Sequence, residues 1–340
     1  MGNLKGTPVL VTGATGFLGG ALARRLALAE GARVTAVGRR TAAAEGLLRE
    51  TTAGQLRFRR ADLAQPAEAE AACAGQAIVF HCAAQTGAWG PYDEFYRNNV
   101  TATHKIIAGC RQAGARLVHV STPSVCFADQ PRLNVAESDP LPPRQLSYYA
   151  ATKLLAEQAV NAAAAQGLRA ITLRPRAIFG PRDTTLLPRL IRQMQRGRLR
   201  ILGDGRNQAD LTYVDNVVDA LLRCAQAPEA LLGRTYHITN GEPLLLWGAI
   251  DKLCTALGYR LPARRLPLPA ALALAGVFEQ AHTLLRRPGE PALTRYAVRM
   301  LALDATLDIS AARRDLGYAP RVSTAVGIEL LAEWWRAGQP

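Results

Sequence analysis

The stretch Pro8-Val9-Leu10-Val11-Thr12-Gly13-Ala14-Thr15-Gly16-Phe17-Leu18-Gly19 joins a short apolar run to a glycine cluster and then to a helical pattern that reaches residue 29. A strand, a tight turn and a helix in that order set backbone N–H groups and a helix dipole against an anion. Gly13 permits the turn, Gly16 lets a pyrophosphate approach the backbone, and Gly19 lets the helix lie close on a sheet. A glycine-rich loop alone is a weak signal. Its strand–turn–helix context makes this one a dinucleotide-binding turn, with Thr15, Gly16, Phe17 and Leu18 at the phosphates.

Outward from that turn, strand patterns fall at residues 33–37, 56–60, 77–82, 115–121 and 170–174, with long helical patterns at 93–113 and 147–165. The 77–82 run has no polar alternation, as expected of a strand buried on both faces. Strands alternating with helices predict an α/β, Rossmann-like, doubly wound parallel sheet. After Arg174 the chain is broken by Pro175, Pro181 and Pro188. Residues 186–195 and 213–225 read as helices, and 235–239 as a strand returning to the sheet. The predicted organisation is a dinucleotide-binding domain over 1–175 with 207–240 returning to it. A smaller, mostly helical substrate lobe covers 176–206 and 241–335.

A fold of this kind that prefers NAD usually carries an acid at the end of its second strand. Here Val37-Gly38-Arg39-Arg40 stands there. Guanidinium groups match a phosphate in geometry and charge, which predicts NADP(H) over NAD(H). The other reading is two surface arginines and a permissive site. Asp62 and Leu63 follow the third strand at the adenine edge. Cys82, Ala83 and Ala84 follow the fourth, as small residues beside the cofactor.

The composition adds one unusual number. There are 41 Lys+Arg against 27 Asp+Glu, a net charge of +14. Such a balance suits an acidic partner. Yet Lys occurs only at Lys5, Lys105, Lys153 and Lys252, and the arginines are scattered in short pairs without interleaved aromatics. That argues against a nucleic-acid partner. The six cysteines form no C-x-x-C and no zinc spacing with His, so no metal site is expected; the pattern suits a reducing, cytoplasmic setting.

Tyr149-Ala150-Ala151-Thr152-Lys153 places a phenol and an ammonium four residues apart, on one helix face. A neighbouring ammonium and a cationic nicotinamide would lower the phenol's pKa, making Tyr149 a proton-exchanging group. Thr122 stands at the end of the fifth strand, where open α/β sheets place their ligands, and can hydrogen-bond the same substrate oxygen.

With these motifs the chain resembles the extended short-chain dehydrogenase/reductase family over nearly its whole length. The resemblance implies a catalytic set of Thr122, Tyr149 and Lys153, the last holding the cofactor ribose. It also implies Asn99 in the helix and Pro175 near the nicotinamide. Ala209 and Asn216, in Gln208-Ala209-Asp210-Leu211-Thr212-Tyr213-Val214-Asp215-Asn216, depart from the sugar-nucleotide branch. They are similar to the 3β-hydroxysteroid dehydrogenase-like branch, as are Ser121–Val125, His237–Pro243 and Pro288–Pro291. Gly87-Ala88-Trp89-Gly90-Pro91-Tyr92 and the Tyr148–Tyr149 pair resemble bacterial 2-alkyl-3-oxoalkanoate reductases, with sterol 4α-carboxylate 3-dehydrogenases similar too.

The implied activity is NADP(H)-dependent reduction of a 3-keto group on a hydrophobic small molecule, with Thr86, Trp89, Ser124 and Phe179 nearest the substrate. A sugar-nucleotide epimerase/dehydratase is the alternative, and a cofactor-sensing regulator or scaffold a third. The family implies a homodimer built on the 93–113 and 147–165 helices. Residues 266–278 form an apolar run of thirteen, too short for the roughly 20 that span a bilayer. It is a tunnel wall, a peripheral membrane contact beside Arg286 and Arg287, or plain core.

Overall fold

The computed structural model describes residues 4–51, 54–197, 199–287 and 289–338. Pro288, which opens one of the motifs named above, lies outside them. Seven strands form the main sheet: β1 (Pro8–Thr12), β2 (Arg33–Gly38), β3 (Leu56–Arg60), β4 (Ile78–His81), β5 (Arg116–Val120), then Ala170–Pro175 and Thr235–Ile238. Their spatial order is Thr235–Ile238, Ala170–Pro175, β5, β4, β1, β2, β3, and every pairing is parallel. The order reverses between β4 and β1, and a doubly wound sheet opens a crevice at that point.

Side-chain alternation divides the core into two layers. Val9, Val11, Phe80 and Val118 meet Leu22 and Leu26 of the Phe17–Leu28 helix and Val217 and Leu221 of the Val214–Ala225 helix. Leu10, Val79 and Leu117 point the other way, onto Ile106, Cys110 and Val160. Successive strand residues face opposite sides, so an apolar run without alternation fills both layers. Each fully buried side chain of this kind is worth about 1.5–3 kcal/mol.

The returning strand Thr235–Ile238 pairs with Ala170–Pro175 from Thr235↔Thr172 to Ile238↔Pro175. Immediately after it, the Asn240 side chain accepts from the Tyr213 N–H at 3.0 Å and from Asn216 Nδ2 at 2.7 Å. Asn216 in turn binds the backbone of Arg321 and Val322. The polar motifs that marked the branch are thus joints that fasten later segments to the sheet.

The smaller sheets were not legible in sequence. One has four strands in the order Leu244–Leu245, Gln208–Ala209, Ala305–Leu307, Arg132–Val135. Two-residue strands have no periodicity to read. The helix expected over 93–113 also differs. It runs as an α-turn Tyr92–Phe95, a π-helical turn Tyr96–Thr101 and an α-helix Ala102–Ala113. A π-turn inserts one residue into the 3.6-residue repeat, is commonest at functional sites, and leaves no periodic signature.

Candidate active site

The first strand and helix build a close-fitting cradle. Gly13 has φ +67°, and a Cβ there would sit 2.8 Å from Ala83 Cα. A Cβ on Gly19 would lie 2.4 Å from the Gly13 carbonyl oxygen. Gly38 closes the far wall, since a Cβ there would meet Thr15 Oγ1 at 2.7 Å. Sequence reasoning passed over Gly38; its place just before Arg39 was the available signal. The cradle has glycine where backbones approach and orphan helix N–H groups at Phe17 and Leu18, so it fits a dinucleotide pyrophosphate.

Beneath it, Thr12 Oγ1 meets His81 Nδ1 at 2.9 Å and accepts from the Ala83 N–H at 3.1 Å, tying β1 to the loop after β4. His81 Nε2 meets Thr103 Oγ1 at 3.1 Å. Burial, helped by the Lys153 charge, pushes His81 down to about 3, so its imidazole is neutral at neutral pH. Cys82 is pushed up to about 12, chiefly by burial, and remains a thiol beside the cradle.

At the outer end, Arg39 and Arg40 are exposed at the tip of β2. Arg39 Nη1 donates to Asn98 Oδ1 at 3.1 Å. Asp62 pairs with Arg97. Burial raises the Asp62 pKa, but the Arg97 hydrogen bond and charge outweigh it and hold the carboxylate below its usual range. Leu63 is buried behind it. Arg97 and Asn98 sit on the π-turn and were not foreseen.

The residues expected to react lie around the end of β5. Ser147 caps the Tyr148–Ala165 helix by accepting from the Ala150 N–H at 3.1 Å. The helix buries Ala150, Lys153, Glu157 and Val160, so the spacing of four puts Lys153 inward. Lys153 is 1% exposed, and its Nζ donates to the Val120 carbonyl at 2.6 Å. Burial lowers its pKa to about 8, against the opposing Glu157 charge. Thr122 caps a 3₁₀ turn, Pro123–Cys126, by accepting from the Ser124 N–H at 3.2 Å. Its hydroxyl donates to Ser124 Oγ at 3.1 Å, and Ser124 Oγ meets Tyr296 OH at 3.0 Å.

Tyr149 is half-buried and hydrogen-bonded to Thr122. The lowering expected of its phenol is not what the protein groups provide. Burial pushes it up to about 12, the Thr122 hydrogen bond opposes this, and Lys153 does not figure among the groups acting on it. The Lys153 ammonium is turned to the Val120 carbonyl. Tyr149 therefore holds its proton.

Asn99 was expected at the cofactor. Its amide is instead committed to protein: Oδ1 accepts from the Gln85 N–H at 2.7 Å, and Nδ2 donates to the Gln85 carbonyl at 3.1 Å and to Thr152 Oγ1 at 3.0 Å. It holds the loop after β4 against the Tyr148–Ala165 helix. Thr86 is exposed in that loop. Trp89 meets His282 edge-on at 6.0 Å, linking the loop to the Leu268–Leu284 helix. Pro175 is buried at the end of its strand. Phe179 is a packing residue rather than a substrate contact. It lies edge-on to Tyr213 at 5.8 Å within a cluster that includes Leu187 and Ile191.

Behind Lys153, Glu157 forms a buried ion pair with Arg174, whose Nε donates at 3.0 Å. Arg174 Nη1 also donates to Cys126 Sγ at 3.2 Å and meets His237 Nε2 at 3.1 Å. A dinucleotide cradle opens beside a Tyr–Lys helix and a strand-end threonine.

Residues 9–239 match the model of the NAD dependent epimerase/dehydratase family. The chain belongs to this family. The 2-alkyl-3-oxoalkanoate reductase of Stenotrophomonas maltophilia is 40% identical over 329 residues, covering 95% of this chain and 98% of that protein. The human sterol-4-alpha-carboxylate 3-dehydrogenase, decarboxylating, is 34% identical over 220 residues, 63% of this chain and 62% of that protein. The solved UDP-glucuronic acid 4-epimerase of Bacillus cereus, in complex with NAD, shares the fold at a TM-score of 0.76 and 23% identity, covering 97% of this chain and 99% of that one. This member of the extended short-chain dehydrogenase/reductase family is an NAD(P)-dependent oxidoreductase.

Proposed function

We propose that the chain is an NADPH-dependent reductase of the 3-keto group of a hydrophobic, lipid- or steroid-like substrate, acting reversibly as a 3-hydroxy dehydrogenase. The observation that carries this reading is the meeting of the Tyr149 and Thr122 hydroxyls beside Lys153 at the end of β5. Bound NADPH supplies a hydride for the carbonyl carbon. Tyr149, a phenol that keeps its proton, gives it to the carbonyl oxygen, and Thr122 orients that oxygen. Lys153 keeps its charge at neutral pH, as its pKa of about 8 requires, and holds the ribose. The guanidiniums of Arg39 and Arg40 support the 2′-phosphate form of the cofactor. The segments 176–206 and 241–335 serve as the substrate lobe.

A turnover panel tests this. Long-chain 3-oxo esters and 3-ketosteroids should be reduced, with kcat/KM for NADPH at least about tenfold above NADH, the equivalent of ~1.4 kcal/mol. Turnover of UDP-sugars alone would overturn the substrate class, and an NADH preference would overturn the cofactor assignment.

Two surfaces support the expected partners. Tyr92, Tyr96 and Tyr148 are exposed and in ring contact, Tyr92–Tyr148 at 5.4 Å, across the two helices that would form a dimer interface. The Leu268–Leu284 helix buries only Ala271, Ala275 and Glu279, while Leu274, Val277, Phe278, Leu284 and Leu285 face outward beside exposed Arg286 and Arg287. Among the described residues no helix is long and apolar enough to cross a membrane. An outward apolar face with basic flanks suits an anionic bilayer surface. Sedimentation should give a dimer mass, and cosedimentation with phosphatidylglycerol vesicles that salt weakens. A monomer would refute the first reading, and equal recovery with neutral vesicles the second.

A further inference from the structure

Three arginines of the described residues are buried: Arg116, Arg174 and Arg176. A guanidinium is rarely taken out of water without a carboxylate and a set of acceptors. Arg116 has them, in Glu229 and the carbonyls of Cys224, Ala225 and Ala227. Arg174 has them in Glu157 and His237. Arg176 does not. It is 8% exposed, and among the described residues no carboxylate lies within ion-pairing distance of it. Its Nε is buried with no hydrogen-bond partner. Its Nη1 reaches only the Met300 sulfur, at 3.7 Å, a weak acceptor. The guanidinium is held over the Phe127 ring, 4.5 Å from the centroid. The carboxylate whose charge reaches it is Asp210, whose Oδ2 accepts from the Leu307 N–H at 2.7 Å.

The position of this group is as informative as its lack of partners. Arg176 follows Pro175 at the end of the strand beside β5, and its backbone is fixed by Ile238 and Thr212. Tyr296 faces it, and Tyr296 is joined through Ser124 to Thr122. A cation held ready by stacking lies past Ser124 and Tyr296 from Thr122, whose hydroxyl would grip the substrate's carbonyl. Arginine's fork accepts a carboxylate with two parallel hydrogen bonds.

We propose that Arg176, with Tyr296 beside it, is the carboxylate subsite of this enzyme, so that hydrophobic 3-oxo and 3-hydroxy acids are selected over their neutral counterparts. The proposal rests on the reading of the chain as a 3-hydroxy/3-keto oxidoreductase. In the oxidative direction with NADP⁺, a long-chain 3-hydroxy acid and its methyl ester can be compared directly. The wild-type protein should favour the acid. In Arg176→Met the acid-to-ester ratio of kcat/KM should fall by about 10- to 100-fold, the span of one or two charge-assisted hydrogen bonds. The loss should be carried by KM, and Arg176→Lys should recover part of it. Because Arg176→Met leaves Asp210 without its cation, the Arg176→Met/Asp210→Asn pair is measured alongside, and the ratio should fall there too. A wild-type protein that oxidises acid and ester equally well, or variants that keep the wild-type ratio, would overturn the subsite while leaving the oxidoreductase reading intact. Failure to oxidise either compound would instead remove that reading and the subsite with it.

Discussion

Tyr149→Phe should lower kcat by about 10²- to 10⁴-fold, the usual worth of a placed general acid. NADPH affinity, read by fluorescence titration, should stay at the wild-type level. The phenol's ring packs against the same neighbours without its oxygen, so the fold and the glycine cradle are untouched. What is lost is the only group on the Tyr148–Ala165 helix that both carries a proton and bonds to Thr122. Thr122 would still hold the carbonyl oxygen and Lys153 the ribose, which is why a residual rate remains. A Tyr149→Phe protein with more than a tenth of wild-type kcat would show that the proton comes from elsewhere, with Tyr296 the next hydroxyl along.

Glu157→Ala should destabilise the protein by about 3–5 kcal/mol in urea unfolding, because it strands a buried guanidinium. The two side chains are only 3% and 6% exposed, so no water replaces the lost carboxylate. Arg174 would keep Cys126 and His237, neither of which carries compensating charge. His237 is pushed down to about 4, chiefly by burial and then by the Arg174 charge. The same substitution has a kinetic signature. Glu157 raises the Lys153 pKa, so removing it lets that pKa fall below about 8. The ammonium would then be lost at lower pH, and the alkaline limb of kcat/KM should move in the acid direction. A replacement of Glu157 and Arg174 together by leucine should restore much of the stability without restoring the limb. A single variant as stable as the wild type would mean the pair is not what holds this layer.

How far the sequence carried these conclusions depends on which signal each residue leaves. The parallel sheet was legible because apolar runs such as Ile78–His81 must fill two layers at once. The Tyr149–Lys153 spacing was legible because helix geometry alone puts the two on adjacent turns. The cradle glycines were legible because backbone approach excludes a side chain. The role of Asn99 was not, since it depends on a π-turn and on a partner, Gln85, in a loop with no regular pattern. Tyr296 and Arg176 were not either. They come from segments far apart in the chain, and each is held by the turn after β5, Tyr296 by Ser124 and Arg176 by the Phe127 ring. Phe179 was misread because an aromatic after the sixth strand reads the same whether it faces a pocket or, as here, a hydrophobic cluster.

The line of hydroxyls from Thr122 through Ser124 to Tyr296 joins the end of β5 to the Arg295–Ala302 helix. On the proposed reading, the groups that move the proton sit at the end of β5 and on the Tyr148–Ala165 helix, while the Arg295–Ala302 helix, through Tyr296, bears on what is admitted. The two tasks are separable in heredity as well as in space. Changes confined to the later segments can retune the choice of substrate while the reaction stays as it was, so one chemistry can be passed down intact through lineages that feed on different molecules.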